Sequence, residues 1–111
     1  MVRSLFCAVI AAGLMLGAAQ AAGLMLIRHE VADYAKWRPV FDADRANQQA
    51  AGLTNPRVYQ AAGDPRDVTI LFDMADVAKA KAFGASAALK AAMSKAGVAG
   101  KSEVLYLNPA P

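Results

Sequence analysis

Three strand-like runs, residues 24–31, 68–74 and 102–107, carry apolar side chains on both of their faces. A strand sends successive side chains to opposite sides of its sheet, so a strand with one wet side is apolar only at every second position. Here Leu24 and Leu26 oppose Met25, Ile27 and Val31. Leu71 opposes Val68, Ile70, Phe72 and Met74, and Leu105 and Leu107 oppose Val104 and Tyr106. Any sheet built from these runs must be covered twice.

The segments between them supply one cover. Asp33 can cap a short helical turn bearing Tyr34 and Trp37. Pro39 lacks an N–H and cannot continue that turn without losing a hydrogen bond, so the main helix is predicted to start near Arg38, with Pro39 in its first turn. Val40, Ala43, Ala46 or Ala50, and Leu53 then recur at helical spacing, and Gly52 supplies the stop. Residues 56–61 read as a strand centred on Val58 and Tyr59. The turn signal Gly63-Asp64-Pro65-Arg66-Asp67 makes it an antiparallel hairpin with 68–74. Asp76 caps a helix from Val77 to about Gly84, and Ser86 caps a second piece over 87–96. In that piece Leu89, Ala92, Met93 and Ala96 follow the i, i+3, i+4, i+7 rule, and Gly97 ends it in the left-handed region. The order β-α-β-β-α-β predicts an α+β fold, the ferredoxin-like sandwich: an antiparallel sheet with its helices on one face. The second apolar face then calls for a second copy of the chain, stacked sheet on sheet about a two-fold axis as a homodimer.

Residues 1–21 are read as a segment outside this fold. Arg3 gives a positive start, the run from Leu5 to Leu16 is apolar, and Ala19-Gln20-Ala21 has the small-x-small pattern of a signal-peptidase site. Cleavage after Ala21 would release a periplasmic or secreted chain with no stable membrane insertion, made of a single domain over 22–108. An uncleaved membrane anchor is the alternative, since no charge falls between Ser4 and Ile27. The one cysteine, Cys7, leaves with the signal, so core packing or association must supply what disulfides cannot. The net charge of +3 is modest. Lys79, Lys81, Lys90 and Lys95 lie in alanine-rich helical segments and read as solvated faces, so no nucleic-acid partner is expected.

Residues suited to chemistry gather between Arg28 and Trp37, which hold the only histidine and the only tryptophan. His29 is the candidate catalytic residue, a base of suitable pKa. Its structural alternative is a bond to a backbone carbonyl or to Asp33 that fixes the strand–helix corner. Tyr34, Trp37 and Phe41, at i, i+3 and i+7, form an aromatic wall for a flat ligand or else simply core. Tyr59 and Tyr106 are strand residues whose hydroxyls can reach the same cavity. Arg28 and Arg57 are possible carboxylate binders. Asp33 and Asp76 read as caps, Asp42 and Asp44 as a solvated helix face. One histidine without cysteines or paired carboxylates gives no metal site, and no cofactor is expected.

The spacing Arg28-His29-x-Val31-x-Asp33-Tyr34-x-x-Trp37-x-Pro39-x-Phe41-Asp42 resembles a group of small bacterial proteins in the dimeric α+β-barrel superfamily. So do Gly52, Val58-Tyr59, Asp64-Pro65, Ala82-Phe83, Ser86, Leu89-Lys90, Met93 and Ala96-Gly97-Val98. This group carries labels such as cyclase or antibiotic-biosynthesis-monooxygenase-like. The resemblance implies a paired barrel and, for some members, cofactor-independent oxygenation of an aromatic substrate. The Asn-Trp-His set of the superfamily's haem-degrading members has no residue-by-residue match here. Three functions follow as expectations. The first is binding of a small apolar or aromatic molecule between the sheet and the first helix, with His29, Tyr34, Trp37, Phe41 and Tyr59 as pocket residues. The second is a cofactor-independent monooxygenase or cyclase/isomerase using His29 as base. The third is a structural or stress-related dimer without a ligand.

Overall fold

The computed structural model describes residues 23–111, so the segment read as a signal peptide lies outside the described residues. The elements are β1 (Gly23–Val31), α1 (Tyr34–Ala43), α2 (Arg45–Ala50), β2 (Leu53–Ala61), β3 (Asp64–Met74), α3 (Val77–Gly84), α4 (Ala87–Lys95) and β4 (Val98–Leu107). The strands form one sheet in the order β2-β3-β1-β4. Every neighbouring pair is antiparallel, as the ferredoxin-like α+β fold requires.

Register explains the double apolar pattern. On the helix side, Met25 lies opposite Phe72 and Tyr106, and Ile27 opposite Ile70 and Val104. Met25, Ile27, Val31, Val68, Ile70, Phe72 and Met74 are all buried there, together with Trp37 from α1 and Ala80 from α3. On the other side Leu26 sits between Leu71 and Leu105, and Leu24 faces Leu107. Among the described residues nothing packs over that ladder, and Leu105 remains 50% exposed.

The first helix departs from expectation. It starts at Tyr34, not near Arg38, and carries Pro39 in its interior. The Asp33 side chain accepts from Ala35 N at 2.9 Å, and its carbonyl accepts from Lys36 N and Trp37 N at 3.1 and 3.0 Å. The helix is therefore nucleated before Pro39 is reached. The lost bond falls on an exposed stretch, while burial of Trp37 on the opposite side of the helix offsets it. The helix also breaks at Asp44, so that α2 is a separate piece ending before Gly52, whose φ of +77° a glycine adopts freely.

The strands run longer than the sequence indicates. Leu53, read as the last helical position, is fully buried and pairs with Met74. The ladder then crosses an irregularity between Thr54 and Arg57, where Asn55 has a φ of 50°. Asparagine tolerates that conformation, so Pro56 marks a bulge within β2 and not its beginning. β3 starts at Asp64, which pairs with Ala61 and shortens the hairpin loop to Ala62-Gly63. A second irregularity bears on function. Arg28 pairs with Glu103 but Glu30 pairs with Ala99, so Gly100, Lys101 and Ser102 of β4 all stand against His29 alone. Gly100, at φ +68°, supplies the left-handed residue that such a bulge uses.

Candidate functional site

His29 occupies the helix face of a central strand, where alternation with Arg28 and Glu30 turns it inward. It is 5% exposed. Its ring meets Trp37 edge-on at 5.7 Å between centroids. Trp37 in turn stacks on Phe41 at 4.9 Å, and Phe41 lies 6.0 Å from Phe72 on the sheet. These aromatics form one wall of a cavity of about 250 Å³ between the sheet and the helices. Met25, Ile27 and Ile70 contribute from the strands, Phe83 from α3, and Leu89 and Met93 from α4. A volume of that order is near the lower end of small-molecule pockets.

The polar side chains at the cavity are few: His29, Asp44, Gln48 and Ser102. Among the described residues, neither His29 Nδ1 nor Nε2 has a hydrogen-bond partner, and Gln48 Oε1 has none. The bond from His29 to a carbonyl or to Asp33 that would have fixed the corner is not made. Burial pushes the His29 pKa below its ordinary value of 6.5. The imidazole is therefore neutral near pH 7, with one nitrogen to donate and one to accept. Gln48 is 3% exposed, and its Nε2 donates to Phe41 O at 3.2 Å. Asp44 also lines the cavity, its carboxylate accepting from Asn47 Nδ2 at 2.7 Å, and Ser102 lines it from the irregular part of β4.

Of the five sequence-predicted pocket residues, His29, Trp37 and Phe41 meet at this cavity. Tyr34 stands behind Trp37 at 5.6 Å, and its hydroxyl accepts from Arg38 Nη1 at 3.0 Å. Tyr59 does not belong to it. It pairs with Thr69, so it shares the outer face of the sheet and is 53% exposed. Its neighbour Val58 takes the inward position. Tyr106 faces the helices and packs beside Gly84. The two arginines are engaged elsewhere. Arg28 makes a two-pronged bond to Asp67, Nε to Oδ1 at 3.0 Å and Nη2 to Oδ2 at 2.7 Å, which holds the Asp67 carboxyl below its usual range. Arg57 pairs with Asp73 at 3.1 Å. Sequence reasoning missed Gln48, and it placed Asp44 in solvent. A signal existed: Trp37, Phe41, Asp44 and Gln48 lie at i, i+4, i+7 and i+11, one helical stripe that turns polar toward its end.

Among the described residues, no three His, Cys, Asp or Glu side chains converge as metal ligands would. No protein-family model matches the chain, and no curated protein does. Solved structures do. A protein of Caulobacter crescentus classed among the antibiotic biosynthesis monooxygenases is 19% identical, with a TM-score of 0.61 over 87% of this chain and 99% of its own. A monooxygenase of Streptomyces coelicolor, bound to nanaomycin D, is 11% identical, with a TM-score of 0.57 over 83% and 90%. A dimeric ferredoxin-like protein from an uncultured marine organism is 12% identical, with a TM-score of 0.56 over 87% and 95%. At these identities the likeness is one of fold, and the chain has the ferredoxin-like α+β fold that these antibiotic-biosynthesis-monooxygenase-like structures share.

Proposed function

We propose that the protein is an exported homodimer that binds a small, largely apolar aromatic molecule in the cavity between its sheet and first helix. One observation carries this reading: the cavity is walled by stacked aromatics, and its lining includes His29, whose buried nitrogens have no partner among the described residues. An unsatisfied buried polar group costs about 1–3 kcal/mol, so a ligand that pairs with His29 recovers that cost while burying its own rings. Trp37 is the only tryptophan, which makes its emission a direct reporter of occupancy. Titration with phenols and quinols is expected to quench it saturably, and His29→Leu is expected to weaken binding about tenfold. Absence of saturable quenching across the panel would sink the reading. Export is checked separately by the N-terminus of the protein recovered outside the cytoplasm, expected at Ala22.

A second reading is favoured by the neutral state of His29. A depressed pKa keeps the imidazole in its basic form, as a residue removing a phenolic proton needs. It makes the protein a cofactor-independent monooxygenase or a cyclase/isomerase, and some fold neighbours are described as monooxygenases. Turnover of the same phenols and quinols by the wild type, lost in His29→Ala, is the expected result. Equal turnover in the two proteins, or none in either, excludes it.

A further inference from the structure

We infer that Gln48 is the residue that selects the ligand, by demanding a hydrogen-bond donor at the α1–α2 end of the cavity. This deepens the binding reading above and rests on it. The orientation of the amide is fixed by chemistry. Its nitrogen lies 3.2 Å from Phe41 O, a carbonyl that can only accept, so the atom there must be the N–H-bearing one. The other end of the amide, Oε1, is then an acceptor buried without a partner among the described residues, on a side chain that lines the cavity. Asp44, one helical turn earlier, adds a second acceptor-only group to the same end.

This polarity discriminates among aromatic ligands that are otherwise alike in shape. A hydroxyl or an amine N–H completes the Gln48 bond. An ether oxygen in the same place leaves Oε1 unpaired, and a carboxylate sets negative charge against Oε1 and the Asp44 carboxylate. A site built to pair with a ligand's donor rejects an analogue lacking it more strongly than an apolar pocket rejects a change of size. The ligand class is therefore a neutral, flat aromatic with a donor at one end, and ethers and carboxylates are the excluded relatives.

Three probes of one skeleton test this on the full-length protein and on its 22–111 form, by calorimetric titration: 2-naphthol, 2-methoxynaphthalene and 2-naphthoate. Wild type is expected to bind the naphthol at least tenfold more tightly than the methoxy compound, and the naphthoate most weakly. Gln48→Met keeps a side chain of similar length and removes the acceptor, so it is expected to collapse the naphthol preference to within about twofold. Thermal melting of that variant verifies folding. The wild-type preference needs no variant at all, so equal binding of naphthol and methoxy compound overturns the assignment even if Gln48→Met fails to fold. Retention of the full preference in folded Gln48→Met, with its loss in His29→Leu, overturns it too by giving the selectivity to His29. Failure of all three probes to bind overturns the pocket reading itself, and the assignment to Gln48 with it.

Discussion

His29 is held without a partner by its surroundings. The antiparallel register aims it at the helices, Trp37 packs against its ring, and the irregularity in β4 interrupts the pairing opposite it. Because burial lowers its pKa, the unfolded chain takes up a proton that the folded chain refuses. Stability therefore rises with pH from the folded-state value up to the ordinary 6.5 and is level in this respect above it. Acidification through that window is expected to lower Tm, and His29→Phe is expected to flatten the dependence there. Melting curves of both proteins between about pH 8 and about pH 5 check this, since about 1 kcal/mol shifts Tm by about 4–8 °C in a domain of this size. Equal slopes would show that His29 does not titrate differently on folding. At this scale the sequence revealed which residue was unusual. It could not reveal that the imidazole lacks a partner, because that depends on what three other elements place around it.

The helices obey local rules closely. Asp76 accepts from Ala78 N at 2.8 Å and from Lys79 N at 3.2 Å, and Ser86 Oγ accepts from Leu89 N at 3.1 Å. Both caps are legible in the sequence because a capping residue and the N–H groups it serves are neighbours in the chain. Asp76→Ala is expected to cost about 1 kcal/mol of stability, read by urea denaturation with an unchanged m-value, and Asp76→Asn to recover most of it. A loss below about 0.3 kcal/mol would mean that packing on the sheet, and not the cap, sets the start of α3. Where sequence reasoning misplaced an element, a longer-range effect had won. Pro39 argued for a later helix start, but the Asp33 cap and the burial of Trp37 prevailed. Leu53 fitted the helical period, but its pairing with Met74 placed it in the sheet.

For the whole molecule, the unanswered demand is the outer face of the sheet. Leu24, Leu26, Leu71, Leu105 and Leu107 form a continuous apolar ladder, bordered by the Arg28–Asp67 and Arg57–Asp73 pairs. Leu105 and Leu107 keep 50% and 37% of their surface exposed, so covering each is worth about 1 kcal/mol, and a two-fold axis counts each residue twice. Light scattering on residues 22–111 is expected to give twice the monomer mass, and Leu26→Lys to give a monomer with reduced solubility. A soluble wild-type monomer at micromolar concentration would refute the argument.

The sequence by itself determined the order of the elements, the caps of three helices and the need for two covers on one sheet. These are properties of chain neighbours and of strand alternation. Tertiary structure decided which polar side chains are left unpaired. Strand register carried Tyr59 to the outer face, Trp37 closed on His29 without supplying it a hydrogen-bond partner, and packing of α2 buried Gln48 at the cavity. A cavity is what packing leaves unfilled, so it belongs to no single segment and cannot be read from any one of them.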